Sequence, residues 1–179
     1  MERVNEEVYY AIGPRVSVGA EELEFLKAAA AQTARRRARL CTHASAQDLL
    51  HEMFIVHARD AYVRPHAHIG KAESFWLIEG ACDVVFFDED GAIAGYERLR
   101  SGGQTGILYY RIGERAYHTL LIRSEWLVFH EVTTGPFDRA KTMLAQWAPD
   151  ESDPVAVREY LERLEARLRT VTPNLGEVR

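Results

Sequence analysis

Cysteine is scarce in this chain. Only Cys41 and Cys82 occur in 179 residues, with no C-x-x-C pair. That excludes a disulfide-stapled scaffold and a thiolate zinc site, and it makes a reducing cytoplasm the expected compartment. Long apolar runs are missing as well. No stretch approaches the ~18 residues a membrane-spanning helix requires, and the N-terminus lacks an apolar core followed by a small-residue cleavage site. Neither a membrane partner nor export is expected. Positive charge is not in excess either. A formal charge of −5 and a pI near 5.8 argue against nucleic acid as the main partner, despite the local basic run Arg35-Arg36-Arg37-Ala38-Arg39. Internal repeats and low-complexity segments are absent. The remaining composition, 47% hydrophobic and 27% charged, is that of one globular domain with decorated ends.

The most informative residues are His66, His68 and Glu73, followed by Gly80, in the spacing H-x-H-x4-E-x6-G. Residues two apart on a strand share a face, so Arg64, His66 and His68 are expected to project together. A turn at Ile69-Gly70-Lys71 can then return Glu73 to meet them. Two imidazoles and a carboxylate of this kind suit a divalent transition metal. A single histidine on an apolar strand is more often a hydrogen-bonded core residue than a ligand, but the three together are not explained that way. His118, on the apolar stretch Ala116 to Ile122, is the candidate fourth ligand.

Around this motif the chain reads as a series of short strands. A helix is expected from Ala20 through the alanine-rich run to the arginines, with acids in its first turn and bases in its last. A short strand at Leu40 to His43 and a helix-like segment at Ala44 to Leu50 come next. Strands are then expected at 52–58, 62–68, 74–79, 82–87, 93–98, 106–111, 117–122 and 126–132, with a hairpin turn at Asp88-Glu89-Asp90-Gly91. About eight short strands without intervening helices indicate a sandwich or small barrel, whose mouth suits convergent polar ligands. Asp153-Pro154 opens a terminal helix whose stripe Val157, Leu161, Leu164 and Leu168 is expected to dock on the barrel or on a second subunit.

The motif from His66 to Gly80 and the strand series together resemble the cupin superfamily. The second cupin motif is poorer, since Arg111 to His118 keeps Gly113 but lacks the usual proline. A finer resemblance covers about residues 35–149. Arg37 to His43, Tyr62 to His68, Lys71 with Glu73-Ser74-Phe75, Phe87-Asp88 with Gly91, and Glu131 with Gly135-Pro136-Phe137 before Trp147-Ala148-Pro149 look like the WbuC family of cupin-fold metalloproteins. The resemblance implies an all-β core, a cupin (double-stranded β-helix, jelly-roll) barrel with an N-terminal and a C-terminal helix. Residues 1–45 would form an arm and helix on the barrel, 46–150 the barrel, and 151–179 the C-terminal helix. It also implies a neighbourhood of surface-polysaccharide genes and, as in many cupins, a homodimer.

The expected ligand set is His66, His68, Glu73 and His118 around one divalent metal. Up to two coordination positions stay open on a six-coordinate ion, which favours Fe(II), with Mn(II), Ni(II) or Zn(II) as other occupants. Arg64 is expected to hold a substrate carboxylate or phosphate, with a rim salt bridge as the competing role, and Tyr62 to orient substrate or simply pack. Arg39, Cys41 and His43 alternate onto one face, so Arg39 and His43 join Lys71 as substrate-contact candidates, with core packing and turn roles as the plainer alternatives. Glu131 is a candidate general base if it faces inward; spacing alone allows His130 to face inward instead, and the resemblance favours Glu131. The leading functional expectation is a mononuclear non-haem Fe(II) oxygenase on a small anionic or sugar-derived substrate. The alternatives are a metal-dependent sugar or sugar-nucleotide isomerase, epimerase or lyase in surface-polysaccharide biosynthesis, and a non-catalytic carbohydrate-binding module.

Overall fold

Period-two alternation dominates the chain from Leu50 onward, and in the computed structural model it becomes two facing sheets. The structure describes residues 1–102, 106–113 and 115–172. Among these, the strands are β1 (Glu2–Arg3), β2 (Val8–Tyr10), β3 (Arg37–Cys41), β4 (Leu50–Ala58), β5 (His66–His68), β6 (Glu73–Glu79), β7 (Ala81–Phe87), β8 (Ile93–Arg100), β9 (Tyr109–Ile112), β10 (Tyr117–Ile122), β11 (Trp126–Thr134) and β12 (Thr142–Leu144). The helices are α1 (Ala20–Gln32) and α2 (Pro154–Leu168). One sheet has the order β1-β2-β3-β4-β11-β6-β9 and the other β12-β5-β10-β7-β8. Neighbours in each order are antiparallel except β2 with β3.

Each sheet has two buried faces, which is why its strands carry more apolar residues than simple alternation predicts. The inner faces meet in a core that includes Met53, Ile55, Phe75, Leu77, Val84, Leu99, Leu120, Leu127 and Phe129. The outer face of the larger sheet packs Ala38, Leu40, Val56 and Val128 beneath Leu26 and Ala30 of α1. The outer face of the smaller sheet packs Val85, Phe87, Tyr96 and Leu121 beneath Tyr160, Leu164 and Leu168 of α2. Asp153 caps α2 by accepting from Ala156 N at 3.0 Å, with Pro154 in the first turn, where its missing N–H costs nothing. Buried Asp83 adds an ionic tie. It accepts from Arg98 Nε and Arg123 Nε at 3.2 and 2.8 Å, and Arg123 reaches Glu165 of α2 at 2.8 Å. The expected stripe of α2 is therefore used within the chain, and Tyr160 joins it. No helix among the described residues is long and apolar enough to cross a membrane.

Several local expectations differ from the structure. Helix α1 stops at Gln32, before the arginines, so no base lies in its last turn. Arg36 takes a left-handed φ of 56° in the turn that follows, and Arg35 and Arg37 close on buried Glu7 and on Glu151. Burial alone would raise the Glu7 carboxyl, but the two guanidiniums outweigh it and hold it below the usual range. Residues 44–49 are not helical. Asp48 instead accepts from Ala44 N at 2.8 Å and Ser45 Oγ at 3.0 Å, a side-chain turn that competes successfully with helix formation. Residues 62–65 are not a strand, because Pro65 has no N–H to give to a ladder; β5 begins only at His66. The sequence reading also lacked β1, β2 and β12, which at two or three residues each are too short to show a period.

Candidate metal centre

Three strands deliver the four proposed ligands to one end of the barrel. His66 and His68 lie on β5, Glu73 opens β6, and His118 on β10 is paired in register with His66. One potential ligand atom from each residue lies within 4.8 Å of every other. Glu73 Oε2 is 3.1 Å from His68 Nε2, and Oε1 is 3.5 Å from His118 Nε2. Two donors held ~2.1 Å from one ion at right angles would be ~3 Å apart, so the cluster has the dimensions of a coordination shell.

The backs of the imidazoles are fixed. His66 Nδ1 donates to Arg64 O at 2.9 Å and His118 Nδ1 to Ala116 O at 3.0 Å, while His68 Nδ1 lies 3.3 Å from Thr142 Oγ1 on β12. Placing the proton on Nδ1 leaves each Nε2 lone pair for an ion, the arrangement that orients metal-binding histidines. Tyr110 supports the carboxylate by donating its hydroxyl to Glu73 Oε1 at 3.3 Å. Burial pushes His66 down to about 3, helped by neighbouring His118, which keeps it neutral. Burial disfavours charge on Glu73 and His118 too, but their mutual hydrogen bond prevails: the Glu73 carboxyl is held well below its ordinary range and His118 is raised. A carboxylate beside three imidazoles is the donor set a divalent ion needs, and these four side chains can hold one.

The floor beside this cluster is a single row of paired residues running across the larger sheet: Tyr110, Phe75, Glu131, Met53, Cys41 and Tyr10. Paired residues share a face, so Glu131 points inward with Phe75 and Met53. His130 takes the outer face, where its ring lies 4.8 Å from Phe54. Glu73 is a diagonal neighbour of Glu131, a relation that puts Cα atoms about 7–8 Å apart. The Glu131 carboxyl has no hydrogen-bond partner among the described residues. Burial, and secondarily the charge on Glu73, pushes it well above the ordinary carboxylate range, with Arg39 opposing.

The other proposed contact residues are dispersed. Arg39 lies on the inner face of β3, two residues from Cys41. His43 receives a hydrogen bond from Glu52 N at 3.1 Å and stacks on His51 at 4.1 Å. Lys71 sits at the rim over the Phe137 ring, 5.7 Å from its centroid. Arg64 does not share the face of the histidines. With residues 62–65 outside any strand, its guanidinium turns to Asp150 at 2.8 Å and to Ala145 O at 3.0 Å, the rim salt bridge that was its competing role. Tyr62 donates to Pro149 O at 3.1 Å and packs against Tyr160 beneath α2, the packing role that was its alternative. Tyr110 and Thr142 escaped the sequence reading. Tyr109 and Tyr110 are equivalent by composition, and Thr142 lies on a strand too short to predict.

Residues 18–99 match a family described as a domain of unknown function (DUF6016). No curated protein matches the sequence. Among solved structures, CapF bound to the inhibitor 3-isopropenyl-tropolone is similar at 14% identity and a TM-score of 0.50, over 63% of this chain and 32% of that one. A cupin 2 domain-containing protein from Halorhodospira halophila is similar at 15% identity and a TM-score of 0.47, over 77% and 84% of the two chains. A Shewanella oneidensis protein is similar at 7% identity and a TM-score of 0.48, over 74% and 81%. Such distant likeness speaks to fold alone. With two facing sheets, helices on both outer faces and a three-histidine, one-carboxylate cluster at one end, the chain has the cupin β-barrel fold.

Proposed function

We propose that this chain is a mononuclear metal-dependent enzyme that moves a proton on a small anionic or sugar-derived substrate, as an isomerase, epimerase or lyase does. The observation that carries the reading is the inward Glu131 carboxyl, without a hydrogen-bond partner among the described residues and one diagonal step from the candidate ligand Glu73. A divalent ion held by His66, His68, Glu73 and His118 would polarise a substrate oxygen and make the adjacent carbon acidic. Glu131, surrounded by Phe75, Met53 and Tyr110, exchanges protons more readily near neutral pH than an exposed carboxyl would. Tyr110 holds Glu73 in place, and the Nδ1 contacts of the three histidines keep the rings from turning. The resemblance to WbuC-type cupins supports a sugar-derived substrate.

A second reading, the Fe(II) oxygenase, rests on the donor count: four protein ligands leave two positions on an octahedral ion. One experiment separates the two. Protein loaded with Fe(II), Mn(II), Ni(II) or Zn(II) is incubated with a panel of sugar phosphates and sugar nucleotides in D2O, with an oxygen electrode in parallel. Solvent deuterium entering the substrate without oxygen uptake, and lost in Glu131→Gln, is the expected result. Substrate-dependent oxygen uptake with Fe(II) alone would replace the first reading by the second. Sugar binding that survives loss of the metal, with neither reaction, would leave a carbohydrate-binding module.

A further inference from the structure

Three of the four arginines between residues 35 and 39 are ion-paired: Arg35 and Arg37 with Glu7 and Glu151, and Arg36 with Asp60. Arg39 differs. Among the described residues its guanidinium has neither an ion pair nor a hydrogen bond, and the residue is exposed. Its flanking residues Ala38 and Leu40 are buried under α1, so alternation turns Arg39 to the inner face, where it pairs with Ile55 on one side and Val8 on the other. A cation with apolar neighbours on both sides and no ion-pair partner among the described residues is available to a ligand.

Its place in the sheet gives it a role. Glu73, Glu131 and Arg39 lie on one diagonal of the inner face. Glu73 is on β6, Glu131 on adjacent β11, and Arg39 two strands further on β3. Glu73 lies one inward-facing row to one side of the Glu131 row and Arg39 one row to the other. Strand spacing and rise put the Glu131 and Arg39 Cα atoms roughly 12 Å apart, a gap that a small elongated molecule lying over the sheet can bridge. Burial raises the pKa of Glu131, Cys41 and Tyr10, and the Arg39 charge opposes that rise in each case, as a cation above the floor row must.

We propose that Arg39 seats the negative group of a two-ended substrate, a carboxylate or phosphate, whose other end lies at the metal centre, so that the atoms between them pass over Glu131. The inference rests on the metal-dependent reading above and narrows its substrate class to elongated anions; a neutral sugar would leave the guanidinium unused. A fork of charge-assisted hydrogen bonds from Arg39 to such a group should be worth about ten- to a hundredfold in affinity.

The test uses the full chain loaded with Co(II), whose visible spectrum reports ligands at the metal. Adipate, with a carboxylate at each end, is titrated against hexanoate, which has one. The wild type should bind adipate at least about tenfold more tightly, and Arg39→Gln should reduce that advantage to about twofold or less while retaining cobalt. Arg158→Gln, on exposed α2 surface, should leave the advantage unchanged and serves as the charge control. Equal affinities in the wild type, or an advantage that survives Arg39→Gln, would overturn the proposal. If the wild type takes up no cobalt, the metal reading fails separately. The Arg39 seat is then decided with inorganic phosphate: it stands if the wild type binds phosphate and Arg39→Gln does not, and falls otherwise.

Discussion

His57 offers a quantitative check on the packing of the barrel. It lies on the inner face of β4, paired with Leu127 and Arg37, 6% exposed and edge-on to Phe129 with ring centroids 5.5 Å apart. Its Nδ1 is buried without a hydrogen-bond partner. Burial, with the charges of Arg37 and Arg39 adding to it, pushes His57 down to about 3 from an unfolded value of 6.5. Between those values the unfolded chain binds a proton that the folded chain refuses, so stability falls as pH drops through that window and is unaffected well above it. Integrating the linkage gives a loss on the order of 1 kcal/mol at about pH 5.5, growing to roughly 3 kcal/mol at about pH 4.5. The assay is urea unfolding of metal-free wild type and His57→Leu from about pH 7.5 to 4.5, with the difference between the two curves removing contributions from all other groups. The wild type should lose ground to the leucine variant by the stated amounts. A constant offset across the range would show that His57 is protonated or solvated in the fold, and the burial argument would be wrong.

Other substitutions probe separate parts of the account. Glu131→Gln keeps the shape of the floor row and should retain metal while lowering turnover by about 10²- to 10⁴-fold once a substrate is found; unchanged turnover would remove Glu131 from the chemistry. Gly80 turns the β6–β7 hairpin at a φ of 94°, and a Cβ there would sit 2.2 Å from Trp126 O. Gly80→Ala should therefore cost about 2 kcal/mol or more in urea unfolding, and a loss under about 0.5 kcal/mol would contradict the close approach. Asp83→Asn leaves Arg98 and Arg123 without their shared carboxylate and should cost about 2–4 kcal/mol, read as a lowered unfolding midpoint with faster proteolysis at α2; an unchanged midpoint would make the ion network incidental.

How much of this was legible beforehand depended on the range of the signal. The four metal-ligating candidates were visible because three lie within eight residues and the fourth sits on a fully buried strand, Tyr117–Ile122, whose bounds matched expectation. The inward face of Glu131 was not, because Trp126, Val128 and His130 are as apolar a set as Leu127 and Phe129, and both faces of β11 are covered. Only the register with Phe75 and Met53 separates them. Arg64 misled for a local reason: the alternation rule was applied across Pro65, where no strand exists. Alternation with Cys41 and His43 made Arg39 a substrate-contact candidate, but what sets it apart within the basic run emerges only once Glu7, Glu151 and Asp60 are seen to occupy the other three arginines.

The central claim is that His66, His68, Glu73 and His118 hold one divalent metal ion. The most direct measurement is elemental analysis of untagged protein from metal-supplemented cells, beside His66→Ala and His118→Ala. The account predicts close to one ion per wild-type chain and its loss from both variants, with the folded circular-dichroism spectrum retained. A wild-type chain without metal, or variants that keep the full complement, would contradict it.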